Sequence, residues 1–167
     1  TLNAAEWDGL AQNKAMVLAQ DPEGEKVALR SLAYLAYDDQ ALYVAFDNQV
    51  DPAKPLRLGG KWGQDDAVEV AVRQTGAKDA PILILRGYPK GSFESSAEAE
   101  APAAAVKRAA SGVQYQARVA GPDRWTAEWR IPWASLGLDP AKDKRIAMNL
   151  SVRKTAGDLW VLWQGTG

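Results

Sequence analysis

Three features of this chain predict an all-β fold, an antiparallel β-sandwich of jelly-roll or immunoglobulin-like type with about nine strands. The first is strict alternation over Asp66 to Arg73. Val68, Val70 and Val72 face one way, and Ala67, Glu69, Ala71 and Arg73 the other. The second is the same period over Arg145 to Arg153, with Ile146, Met148, Leu150 and Val152 on one face. The third is the regular return of turn residues between short apolar runs, with weak helical periodicity. The apolar sides of both alternating strands are expected to be buried.

The remaining elements follow in order. Val27 to Tyr37 and Leu42 to Asn48 are β-branched and aromatic runs separated by Asp38-Asp39-Gln40, which reads as a hairpin. Gln49 to Gly63 holds two prolines and three glycines and reads as a long loop. Pro81 to Arg86 is a short apolar strand. Gly112 to Ala120 and Trp125 to Ile131 form a strand pair around Gly121-Pro122-Asp123. Pro132 ends the second of these, and Trp133 to Gly137 forms a short helical turn. Asp158 to Trp163 is the closing strand. Ser95 to Ala110 is rich in Ala, Glu and Lys; it reads equally as a surface helix interrupted by Pro102 or as a mobile loop.

Composition narrows the function. The 167 residues suit one domain, expected over 1–167 and excised from a larger protein. A net charge of −1 supplies no field to gather nucleic acid. No apolar run approaches the roughly 20 residues that span a bilayer, so no membrane partner is expected. Absent cysteines exclude thiol catalysis, disulfides and thiolate metal sites, and absent histidines remove the usual general base, zinc ligand and haem ligand. No leader pattern is legible at Thr1, which says little of location in a mature or excised piece. Seven tryptophans are many for this length. Core filling accounts for most of them, but a flat apolar ring face also suits a sugar ring.

Five segments together resemble the family 9 carbohydrate-binding modules and their β-sandwich relatives. They are Leu2 to Trp7, Asp39 to Asp47, Asp66-Ala67-Val68-Glu69, Trp129 to Gly137 and Ile146 to Val152. The resemblance runs from about Leu2 to Trp163 and rests on their order and spacing. It implies a jelly-roll-like sandwich that holds sugars, often at chain ends, between two aromatic rings.

The resemblance also implies positions. Trp62 matches the aromatic ahead of the Asp-x-Val-Glu strand, one residue further from it than in the family, and would form one wall of a sugar slot. Its alternative is a loop anchor packed on the sandwich edge. Glu69, between small Ala67 and Ala71, would accept hydroxyls in a shallow depression; its alternative is a solvated carboxylate paired with Arg73 or another cation. Both are expected to serve binding, with little effect on folding. Arg86 matches a donor to the sugar, or else is a surface strand charge. Ser151 stands where the family can carry a longer amide, and Asn149 or Arg153 on the same face are substitutes. Trp160 is the candidate second wall, opposite in orientation to Trp163; otherwise that wall lies outside this piece. Trp125, Trp129 and Trp133 are read as structural.

Asp38, Asp39, Asp47, Asp51, Asp65 and Asp66 are oxygen donors at strand ends, a ligand type calcium takes, although turn formation explains them equally well. The resemblance allows a structural calcium; no cofactor is required. Asp66 and Glu69 point to opposite faces and do not form a glycosidase pair. The expected function is therefore non-catalytic binding of oligo- or polysaccharide, in a secreted, extracellular or periplasmic setting, as a targeting module for an attached polysaccharide-active catalytic domain. The alternative is a structural spacer sandwich. A haem-carrying relative is disfavoured by the missing histidine.

Overall fold

The computed structural model describes residues 15–76, 79–143 and 145–166. Leu2 to Trp7, one segment of the resemblance, lies outside the described residues. Among the described residues ten strands form one antiparallel sheet: β1 (Met16–Gln20), β2 (Lys26–Tyr37), β3 (Ala41–Gln49), β4 (Ala67–Gln74), β5 (Leu83–Gly87), β6 (Phe93–Ser96), β7 (Gln114–Gly121), β8 (Arg124–Pro132), β9 (Ile146–Lys154) and β10 (Leu159–Leu162). Their spatial order is β6-β5-β4-β9-β10-β1-β2-β3-β8-β7. The all-β expectation holds, with two strands that sequence patterning did not single out, β1 and β6.

The sheet folds over on itself. Its halves join where Gln20 of β1 pairs with Leu162 of β10. At the opposite margin Tyr115 of β7 stacks near Phe93 of β6, ring centroids 6.3 Å apart, and donates its hydroxyl hydrogen to the Tyr88 carbonyl at 3.0 Å. On the inner face of one layer, Val68 stands beside Val152, Val70 beside Leu150 and Val72 beside Met148, in register on neighbouring strands. Val68, Val70, Val72, Leu150 and Val152 are buried, while Ile146 and Met148, nearer the strand's start, pack half-buried against this core. Each fully buried aliphatic side chain contributes about 1.5–3 kcal/mol. From the other layer come Leu42, Val44 and Phe46 of β3 and Trp125, Ala127, Trp129 and Ile131 of β8, again at period two.

Trp125, Trp129 and Trp133 are all structural, as expected: each is buried, and Trp133 Nε1 donates to the Asp38 carbonyl at 2.8 Å. The layers approach closely at Gly87. A Cβ there would lie 2.4 Å from Tyr115 ring carbons and 2.6 Å from Trp129, so only glycine fits.

Among the described residues, helix is confined to α1 (Ala103–Ala110), α2 (Trp133–Leu136) and a 3₁₀ turn, Thr155–Gly157. The Ala-rich stretch is thus a helix only after Pro102, buries Ala105 and Ala109, and places Lys107 and Arg108 at its carboxyl end, where cations suit the helix dipole. Gly137 closes α2 in the left-handed conformation, φ 69°, a common glycine role. Among the described residues no helix is long and apolar enough to cross a membrane.

Candidate functional site

β4 lies between β5 and β9, so its outward side chains meet one neighbour from each. Register sets Glu69 beside Arg86 on β5 and Ser151 on β9. Arg86 Nε donates to Glu69 Oε2 at 2.8 Å, and Ser151 Oγ donates to Glu69 Oε1 at 3.4 Å. The guanidinium continues outward. Nη1 donates to Ser96 Oγ at 3.1 Å, and Nη2 pairs with Glu98. The Trp62 ring, delivered by the long loop before β4, covers the guanidinium with its centroid 3.8 Å from Cζ. Trp160 of β10 meets the same ring edge to face, centroids 6.0 Å apart at 80°.

Trp62, Glu69, Arg86, Ser151 and Trp160 therefore converge on one outer face, although they span almost a hundred positions of sequence. Arg153 and Asn149 lie on the same face in register with Ala67 and Ala71. Arg153 pairs with Asp158 at 3.0 Å. Asn149 Nδ2 donates to the Gln164 carbonyl at 3.0 Å, and its Oδ1 accepts from Gln164 N and Leu150 N, so its polar groups brace the segment after β10.

Three expectations require correction. Glu69 does not lie open in a shallow depression and is not paired with Arg73. It is 8% exposed and its partner is Arg86, itself 4% exposed. Arg73 is exposed, opposite Ala147. The reason is cross-strand geometry: a residue of the neighbouring strand sits closer than an i+4 residue of the same strand. Likewise, Arg86 is a buried ion-paired residue rather than a surface charge. Trp62 and Trp160 do meet, but edge to face, without a slot between parallel ring faces.

Burial pushes the Glu69 carboxyl above its ordinary value, with the Arg86 hydrogen bond and charge pulling it back. Burial also works against the Arg86 charge, but the carboxylates of Glu69 and Glu98 outweigh it and hold the guanidinium firmly protonated. Ser96 and Glu98 belong to this cluster and were not singled out from sequence. Their segment reads as helix or loop, whereas Phe93–Ser96 is an edge strand paired with β5.

The aspartates serve turns and pairs. Asp38 accepts from Gln40 N, Ala41 N and Tyr43 Oη, and the two backbone donors hold its carboxyl below its ordinary value. Asp47 takes a bidentate contact from Arg124 at 2.7 and 2.8 Å. Asp51 accepts from Ala53 N, Asp65 from Lys61 N, and Asp66 from Thr155 N. Among the described residues no three carboxylates gather as calcium requires. Asp66 and Glu69 serve different faces of the strand, one capping Thr155 and the other holding Arg86.

No protein-family model matches the sequence, and no curated protein matches it by sequence. Solved structures do match in shape. A family 9 carbohydrate-binding module from Caldicellulosiruptor kristjanssonii, in complex with cellotriose, superposes with a TM-score of 0.67 at 15% identity, over 96% of this chain and 80% of that one. A family 9 module from the same organism with glucose gives 0.63 at 16%, over 96% and 82%. A candidate carbohydrate-binding protein of Bacteroides uniformis gives 0.63 at 12%, over 97% and 81%. The chain thus shares the β-sandwich fold of the family 9 carbohydrate-binding modules.

Proposed function

We propose that this domain binds carbohydrate and performs no chemistry on it. The observation that carries the reading is the convergence of Trp62 and Trp160 with Glu69, Arg86 and Ser151 on one outer face. Flat rings stack on the apolar faces of sugars, and a hydrogen-bonded charged network orients hydroxyls. Arg86 fixes Trp62 by one ring face, so stacking falls to the remaining exposed surface of that ring. Hydroxyl contacts fall to the rim, where the Glu98 side chain is 58% exposed. The shared fold supports the reading, and neutral glucans are the first ligands to try, since two of the similar structures hold cellotriose and glucose. In this proposal the domain works outside the cytoplasm, tethered to a polysaccharide-active catalytic domain.

One observation favours the spacer alternative: Glu69, Arg86 and Glu98 already satisfy one another. Calorimetric titration against a panel of soluble glycans separates the two. Parent protein is expected to bind at least one glycan, and Trp62→Ala to bind none. Loss of the ring over Arg86 should cost stability only about 0.5–2 kcal/mol. Equal glycan binding by Trp62→Ala, or no binding by the parent, would overturn the proposal.

A further inference from the structure

A cleft of about 910 Å³ opens at one end of the sandwich, between the β1–β2 turn, the loop after β3 and the β9–β10 turn. Trp160 and Arg153 line it as well as belonging to the outer-face cluster. The cleft is thus continuous with the site already described.

Its walls are built rather than incidental. Lys154 is 3% exposed and Asp66 2% exposed. Lys154 Nζ reaches across to the other layer and donates to the carbonyls of Leu29 at 2.6 Å and Arg30 at 3.1 Å. Asp66 Oδ1 accepts from Thr155 N at 2.7 Å. These bonds hold the β9–β10 turn against β2 and keep the floor in place. Both signs of charge line the wall, Asp21, Asp51 and Asp66 among Lys26, Lys54 and Lys154. Val27, Leu29 and Leu159 supply apolar surface between them. Such a lining offers donors and acceptors with no dominant field, which suits a neutral polyhydroxylated chain better than an anionic one. Trp160 Nε1 is buried with no hydrogen-bond partner.

We infer that the end cleft is a second subsite, in which the further residues of a neutral oligosaccharide lie after its first ring engages Trp62 and Trp160. This inference rests on the carbohydrate-binding reading above, and chain length tells the two apart. Glucose, xylose and mannose, and their β-1,4-linked dimers to tetramers, are titrated against the parent, Ala28→Trp and Lys54→Ala. Ala28 and Lys54 are exposed cleft residues, so neither change strains the fold. The parent is expected to bind a tetramer about tenfold more tightly than its monosaccharide. Ala28→Trp, which places a bulky ring in the cleft, should remove that gain and leave monosaccharide affinity within about twofold. Lys54→Ala should reduce the gain in part.

Monosaccharide binding with no gain on lengthening would overturn the subsite alone. So would a gain that survives Ala28→Trp in a variant with a parent-like circular dichroism spectrum. Preferential capture of oligogalacturonate would overturn the neutral assignment. Failure to bind any sugar would overturn the carbohydrate reading and the subsite with it.

Discussion

Glu69→Ala would strand the Arg86 guanidinium where water scarcely reaches it. The two side chains are 8% and 4% exposed as residues and joined by a 2.8 Å hydrogen bond. Removing one member of a buried pair costs about 3–5 kcal/mol, because the other charge remains desolvated. Glu98 still pairs with Arg86, but its side chain is 58% exposed, so solvent screens it and it offsets at most about 1 kcal/mol. The expected loss is about 2–4 kcal/mol, a drop of about 4–16 °C in Tm for a domain of this size. Glu69→Gln keeps a neutral acceptor and should lose less. Replacing both partners, as in Glu69→Leu with Arg86→Met, removes the stranded charge along with the pair. That double variant should lie within about 1 kcal/mol of the parent. Urea unfolding followed by circular dichroism measures the parent, Glu69→Ala, Glu69→Gln, the single variants Glu69→Leu and Arg86→Met, and the double variant, and equal m-values certify the comparison. A Glu69→Ala loss below about 1 kcal/mol, or single losses that simply add in the double variant, would show that the pair is not the buried, coupled unit described.

Two further outcomes are expected. Gly87→Ala would place a methyl 2.4 Å from the Tyr115 ring and 2.6 Å from Trp129, and should cost about 1–3 kcal/mol or more in urea unfolding; parent-like stability would mean that the layers are not so closely apposed there. Burial of Lys154 lowers its pKa from 10.5 to about 7. Between these values the unfolded chain binds the extra proton, so stability should rise with pH, by at most about 1.4 kcal/mol per unit. Burial raises Tyr88 and Tyr115 above their ordinary 10.0, so those groups lose stability above that pH and bound the rise to about pH 7–10. Lys154→Met should flatten the rise in thermal melts across this range, and a parent whose Tm falls over it would refute the assignment.

Much of the fold is legible in the sequence because alternation is a local signal. Val68, Val70 and Val72 reveal their common face within five residues, and so do Leu150 and Val152. The β8 tryptophans read as structural for the same reason. The strand at Phe93–Ser96 escapes such reading, being short and set in an Ala- and Glu-rich stretch with helical propensity. Its strand character comes from pairing with β5.

By itself the sequence determined the class of fold and the two faces of β4 and β9, and its resemblance to the family 9 modules supplied a candidate set in which Trp62, Glu69, Arg86, Ser151 and Trp160 prove to be neighbours. Only the tertiary structure decided what those residues do to one another. A carboxylate on a polar strand face has the same local signature whether it meets solvent or a guanidinium. Its partner comes from another strand, 17 positions away, and the covering ring from a loop. Pairing register and loop placement are long-range properties, set by burial of the opposite face and by closure of the sheet. Burial, ion pairing and the edge-to-face meeting of Trp62 with Trp160 therefore emerge only when the layers close.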